Sequence, residues 1–510
     1  MRFACLTIAI LSSATAIHGQ TAPLATRSHV ERFSSPSMRA ERSEAEATTK
    51  LAVNSDDAEI LNSRALARMR LGHYAEAYDD LMRAAKLKPT DAEYQANLGY
   101  VLWKLGRAAD AVAVEQAALK LDEKNYTANY QLGRFLLRLG DPKQLPQAAT
   151  YLKRALEIDP RQYEVRFELL AAYRMLGDAE HALAQLDLLQ DARPSDPRVT
   201  YVGALLAADR NDMKAAISGF QEALHRDPTL YGAWQDLGLA YIKLNQWKDA
   251  AETFGELARR QADSVDAAYF HALALFNSAN SKDAESEVRR ALRLNSGAAD
   301  SQTLLGIILG ARNANAEASE ALAQAVTLDA ENFDANFYLG RVQYAMKDYA
   351  GAAKSFLVAV KLNPRQAEAR FFLGTALELA GDSNAAMTEY QELLKSNPES
   401  VMGQLGLGAL LVKQGKLDEA LVALQRAVNL DPKEFEAHWA LGRALALKER
   451  FADAVQSFQT AVSLMPNRSD AHYQLGLALR RIGRTEEANR EFAIVERLNT
   501  EFRNSTNPKR

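Results

Sequence analysis

Residues 438–466 read HWALGRALALKERFADAVQSFQTAVSLMP, and the spacing of the small residues in this stretch decides the fold. Gly442 follows Leu441; Ala454 comes twelve residues after Gly442, Ala461 seven after that, and Pro466 five later. Small residues at such fixed offsets, set among apolar residues three and four apart, mark two amphipathic helices that approach closely and then stop at a proline.

The arrangement recurs along the chain. The Leu-Gly pair returns at Leu98-Gly99, Leu132-Gly133, Leu237-Gly238, Leu305-Gly306, Leu339-Gly340, Leu373-Gly374, Leu407-Gly408, Leu441-Gly442 and Leu475-Gly476, and the five steps from Leu305 to Leu475 are each 34 residues. With 34 as the ruler, thirteen consecutive units fit residues 58–502 with a single three-residue insertion, and they start near 58, 92, 126, 163, 197, 231, 265, 299, 333, 367, 401, 435 and 469. The column twelve residues after the Gly is alanine in all thirteen units, from Ala77 and Ala111 to Ala454 and Ala488. Repetition at this period identifies a solenoid and overrules the length-based expectation of about three domains.

Each column has a physical reason. Apolar residues at unit positions 4, 7, 8 and 11 form the stripe of a first helix, A, and those at 20, 24 and 27 the stripe of a second, B. Small residues at 8, 20 and 27 let the two backbones approach, and a large side chain there overpacks the contact at about 1–3 kcal/mol. Gly or Asn near position 15 breaks the chain between the helices, as at Gly72, Gly106 and Gly415. Proline at position 32, as at Pro89, Pro228 and Pro466, cannot continue helix B. An acid at position 2, as at Glu93 and Asp334, complements the dipole of helix A. Units six to eight lack the terminal proline, and Asn295-Ser296-Gly297 in unit seven predicts a looser joint there. In unit three Asp141 to Gln147, with Pro142 and Pro146, holds the insertion and predicts a longer turn.

This pattern resembles the tetratricopeptide repeat family, in which W/L-x-x-L-G-x-x-Y is followed by A, F, A and P columns. Trp234-Gln-Asp-Leu-Gly-Leu-Ala-Tyr241 with Ala250 and Phe254 carries the likeness, as does His438 to Gly442 with Ala454, Phe458, Ala461 and Pro466. The resemblance implies an all-α fold: an α-solenoid of about 13 helix-turn-helix repeats in a right-handed superhelix. It also implies a role in holding other proteins or peptides on a concave surface lined by the A helices, as an exported bacterial type of the family.

Both ends depart from the ruler. Residues 1–19 read as a signal peptide: Arg2, an apolar run from Phe3 to Leu11, then Ala14-Thr15-Ala16, with Gly19-Gln20 as a second cleavage site. Cys5 lies inside the apolar run, so it does not suit a lipid-anchored terminus, and removal of the leader leaves a cysteine-free chain of net charge -5 against -4 for the whole. The expected location is periplasmic or secreted, with cytoplasmic as the alternative. Residues 20–57 read as a polar linker and capping helix, and 503–510 as a disordered tail.

The candidate protein-binding residues lie on helix A at positions 5, 9 and 12, one stripe of i, i+4, i+7 spacing. Position 5 holds Tyr130, Phe167, Tyr201, Tyr269, Phe337, Phe371, Trp439 and Tyr473; position 9 adds Arg134, Arg341 and Arg443, and position 12 adds Trp103, Phe276 and Tyr344. Aromatic and Arg side chains dominate interface hot spots. The competing reading of position 5 is packing between repeats. The Lys/Asn/Arg clamp with which one subclass of the family binds a free carboxylate is missing: Asn97 is isolated at position 6, and position 5 never holds Lys. His438 and His472 share the position 4 column and read as packing residues, since two histidines do not make a metal site.

No phosphate loop, H-E-x-x-H or G-x-S-x-G occurs, so no enzyme and no cofactor is expected. The acidic balance argues against nucleic acid, although an RNA-binding helical repeat is a remote alternative. No apolar segment reaches spanning length, so no integral membrane span is expected. The function read from the sequence is a non-enzymatic scaffold, with an accessory role in an envelope secretion or polysaccharide-export complex as the alternative. Homo-oligomerisation is not readable from the sequence.

Overall fold

The computed structural model describes residues 36–506; the leader reading of residues 1–19 and the first part of the linker lie outside the described residues. Among the described residues there are 27 helices and no strand. The first, α1 (Pro36–Val53), precedes thirteen helix pairs that run from α2 (Ala58–Leu71) and α3 (Tyr74–Leu87) to α26 (Ser469–Arg481) and α27 (Thr485–Thr506). The A helices begin at Ala58, Ala92, Tyr126, Tyr163, Pro197, Tyr231, Val265, Ala299, Phe333, Ala367, Val401, Phe435 and Ser469, the first residue of each 34-residue unit.

The turn between A and B is set by one left-handed residue. Every positive-φ residue among the described residues stands at position 15: seven glycines, Asn211, Asn245 and Asn313, and also Ala279, Lys347 and Glu449. In unit four Gly177 takes this conformation while its N–H donates to the Arg174 carbonyl at 3.0 Å and the N–H of Asp178 donates to Tyr173 at 2.9 Å, which closes the end of helix A. The insertion in unit three lengthens the turn between α6 (Tyr126–Leu139) and α7 (Leu145–Ile158) to residues 140–144, against 72–73 in unit one.

Helix A starts with a side-chain cap at many units. Asp57 Oδ1 accepts from the N–H groups of Glu59 and Ile60 at 3.0 and 3.1 Å, and Asn125, Asn332 and Ser400 do the same one bond each. In units one and nine the cap adds to a position 2 acid, Glu59 and Asp334.

The small columns are where the backbones meet. All thirteen position 20 alanines are 0% exposed. An added Cβ on Gly340 falls 2.8 Å from the Phe356 ring, on Gly442 2.7 Å from Phe458, and on Gly306 2.4 Å from Leu322, so helix B packs its position 24 side chain onto the bare backbone of helix A.

The chain forms two compact bodies, one up to residue 257 and one from residue 258. In the first, α1 buries Ala40, Ala47 and Leu51, and Leu51 joins Ala58, Leu61, Ala84 and Tyr94 in one cluster. Glu44 of α1 reaches Arg68 at 2.8 Å, and Arg64 and Arg68 both bind the buried Asp80. In the second body, α27 is 22 residues long and runs through Thr506. The tail expected to be disordered from 503 is therefore helical to 506, because residues 496–506 contain no helix breaker before Pro508.

Candidate protein-binding surface

The residues at positions 5, 9 and 12 sit on the A helices, and packing divides them into two classes. Phe167, Tyr201 and Phe337 are buried in the core. Phe167 lies under the Arg198 guanidinium of the next unit at 4.6 Å, and Phe337 is ringed by Phe333, Tyr338, Phe356 and Phe372 at 5.4–6.1 Å. These three rings serve the junctions between repeats and present no binding face. Trp103, Tyr130, Tyr269, Phe276, Tyr344, Phe371 and Trp439 are partly buried, and Tyr473 is 47% exposed.

The arginines of position 9 stack on these rings. Arg134 lies 5.8 Å over Tyr130, Arg341 5.8 Å over both Tyr338 and Phe372, and Arg443 4.7 Å over Trp439. Arg134 also approaches Glu168 at 3.6 Å. Arg341 and Arg443 are exposed and form no ion pair among the described residues, so each keeps an open hydrogen-bonding fork. Trp103 stacks flat on Phe135, centroids 4.4 Å apart, across the junction between units two and three.

A polar chain beside this stripe was missed by sequence reasoning. Arg134 and Arg138 converge on Glu168, Arg174 binds Asp209 at 2.5 Å, and the Tyr201 hydroxyl donates to Asp236 at 2.6 Å. Burial raises the Glu168 carboxyl above its ordinary range against the pull of Arg138 and Arg134. Burial likewise pushes Asp236 up to about 6, while the Tyr201 bond and Arg174 oppose the shift. The signal was available: position 6 carries Glu168 and Asp236 where other units carry Val202, Phe270 or Leu304.

In six of the thirteen units position 4 proves to be a turn clasp. Nε2 of His438 lies 3.0 Å from the Pro432 carbonyl, Nε2 of His472 2.9 Å from that of Pro466, Nε1 of Trp234 3.0 Å from Pro228 and an Arg166 nitrogen 3.0 Å from Pro160. Asn129 and Asn336 reach the carbonyls of Glu123 and Ala330 in the same way. Unit eight is among the units without the clasp: its Gln302 donates instead to Gln324 at 3.0 Å, as Arg370 of unit ten donates to Glu389 at 2.8 Å. A groove of about 470 Å³ lies at this place, between α15 (Ser281–Leu294) and α17 (Asn315–Leu328), with Leu292, Leu305 and Leu309 in its floor and Arg289, Arg293, Glu317 and Glu320 on its rims. It adjoins Ser296, in the turn whose sequence predicts a looser joint.

Among the described residues no group of three or more His, Cys, Asp or Glu side chains is placed to hold a metal ion, and no helix is long and apolar enough to cross a membrane.

Family models described as tetratricopeptide repeat match residues 142–208 and 206–276, and, for a second model, 62–125, 96–144, 303–364, 344–401 and 449–497. One described as TPR repeat matches residues 408–448. No curated protein sequence matches the chain. Among solved structures, the chain is similar to one in the APC/C hetero-tetramer Cut9-Hcn1, at 15% identity and a TM-score of 0.43, covering 92% of this chain and 95% of that one. It is also similar to YrrB, described as a TPR protein with an unusual peptide-binding site, at 23% identity and a TM-score of 0.31 over 36% and 95% of the two chains. For MamA the values are 22% and 0.29 over 32% and 95%.

Proposed function

The chain belongs to the tetratricopeptide repeat family, and from that premise we propose that it is a non-enzymatic scaffold that grips an extended, acidic segment of a partner protein along its A helices. The family and the repeat architecture support protein–protein interaction in general. The observation that carries the sharper reading is the pair Arg341 and Arg443: both are exposed, both lie over aromatic rings, and neither has an acid of its own. A carboxylate that docks on such a fork gains a bidentate, charge-assisted contact. Tyr344, Phe371, Trp439 and Tyr473 supply flanking apolar contact, whereas Phe167, Tyr201 and Phe337 are spent on packing.

The leader-like pattern of residues 1–19 supports an envelope location, periplasmic or secreted, and an accessory role in an envelope secretion or polysaccharide-export assembly follows only by family analogy. Affinity capture from the envelope fraction with the full chain tests both parts. Loss of a captured partner in the Arg341→Ala, Arg443→Ala double variant, with helicity unchanged, supports the site; retention of every partner rejects it. N-terminal sequencing of the native protein reads the export claim directly: a start near residue 17 or 20 supports it, and an intact Met1 in the cytosol overturns it.

A further inference from the structure

Position 24 is the centre of each helix pair, and twelve of the thirteen units place Leu, Val, Phe or Tyr there. Unit two places Glu115. Its side chain is wholly inaccessible, and neither carboxyl oxygen has a hydrogen-bond partner. The carboxyl rests on the backbone of α4 (Ala92–Lys104), where its Oε1 lies 2.5 Å from the place a Cβ on Gly99 would take.

We propose that Glu115 makes the junction between units two and three an acid-closed joint: as a neutral carboxylic acid it completes the packing of α5 (Ala108–Leu121) against α4 and α6, and as a carboxylate it drives that packing open. The charged groups on the two helices that flank α5 are all engaged elsewhere. Glu93 of α4 accepts from Asn125 and Thr127, and Lys104 lies over the Tyr74 and Tyr100 rings. Arg134 and Arg138 of α6 turn to Glu168. On α5 itself Asp110 is bound by Arg107. The one charge that acts on Glu115 is Glu93, of the same sign, and it adds to burial in holding the carboxyl well above its usual range.

The register supplies a partner for the proton. Position 24 of one unit faces position 6 of the next: Phe356 stacks on Phe372 at 5.6 Å, and the Tyr390 ring lies 2.5 Å from where Gly406 would carry a Cβ. The same register sets Glu115 opposite Gln131, whose Oε1 is a buried acceptor without a donor. As oriented, these three oxygens have no donor, and a protonated Glu115 supplies one.

An opened carboxyl titrates near the ordinary value of about 4.3, and the closed one above it. The closed state therefore holds the proton more tightly, and opening becomes easier by up to about tenfold per pH unit from about pH 4.5 upward, until the closed form itself ionises. Hydrogen exchange on the full chain, corrected for intrinsic rates between pH 4.5 and 8, reads this directly. Peptides covering 92–139 are expected to show an opening constant that climbs with pH, while peptides covering 299–362 stay flat. Glu115→Gln is expected to abolish the climb, and Glu115→Leu to abolish it and lower opening at least tenfold at neutral pH. A wild-type slope equal to that of either variant, or shared by 299–362, overturns the proposal.

Discussion

Nε2 of His438 lies 3.0 Å from the carbonyl oxygen of Pro432, six residues back across the turn between units eleven and twelve. The bond fixes the tautomer, since the carbonyl only accepts and Nε2 must carry the proton. It also explains a column that holds residues as different as Trp234, Arg166, Asn129 and His472: each reaches the turn carbonyl with a side-chain N–H.

Replacing His438 by Phe keeps a ring in place and removes the donor. Pro432 is exposed, so water takes over part of the lost bond, and the expected cost is about 0.5–1.5 kcal/mol. Urea unfolding of the full chain checks this. A loss of that size for His438→Phe, absent when the exposed Lys433 is changed to Ala, marks the bond as structural.

Ala279, Lys347 and Glu449 hold φ of 66°, 65° and 62° at the position where seven units use glycine. A Cβ in the left-handed region costs roughly 1–2 kcal/mol, offset by the extra entropy glycine loses on folding, about 0.5–1 kcal/mol. Glycine at each of the three sites is expected to stabilise the array by about 0.5–1 kcal/mol, seen as a higher unfolding midpoint. The reverse change, Gly72→Ala or Gly177→Ala, is expected to lower it by a similar amount, since both glycines stand in open space at φ 81° and 73° and backbone strain alone is at stake.

Gly340→Ala addresses packing rather than strain. The new methyl falls 2.8 Å from the Phe356 ring, which is fully buried and also wedged against Phe337 and Phe372. With no free space for the ring, the expected loss is about 1–3 kcal/mol. Shrinking the obstacle in a Gly340→Ala, Phe356→Leu double variant is expected to recover part of it. A double variant whose loss equals or exceeds the sum of the two single losses shows that the two sites do not share one contact.

The period, the unit starts and the packed columns were legible because Ala77 to Ala488 and the Leu-Gly pairs are read one residue at a time, and each must be small for a reason internal to its own unit. The binding stripe was less legible. Sequence places Phe167, Phe337 and Tyr473 on the same face of helix A, but their exposure depends on what is laid over them: Arg198 covers Phe167 and Phe372 covers Phe337, whereas Tyr473 meets Phe492 of its own unit at 5.9 Å and stays 47% exposed. Glu115 was legible and overlooked, since a charged residue in an otherwise apolar column stands out once position 24 is read down the chain. The clasp at position 4 was not legible, because it unites Trp, His, Arg and Asn by one N–H that no hydrophobic pattern records.

Tyr201 and Asp236 set the last prediction. The carboxyl of Asp236 accepts from the buried Tyr201 hydroxyl at 2.6 Å, and burial raises it to about 6. An unfolded aspartate titrates near 3.9, so the folded chain holds this proton more tightly over the interval between the two values. Stability from this group is fully present below about pH 3.9, declines as pH rises, and stays at its lower level once pH exceeds about 6. Asp236→Asn keeps the acceptor and removes the titration. The difference in unfolding free energy between wild type and Asp236→Asn is therefore expected to drift against the wild type from about pH 4 to 6 and to hold constant from 6.5 to 8. Tyr201→Phe removes the one hydrogen bond that favours the ionised form, so it is expected to widen that interval upward. A wild-type to Asp236→Asn difference that is flat from pH 4 to 8 rejects a raised carboxyl at this position.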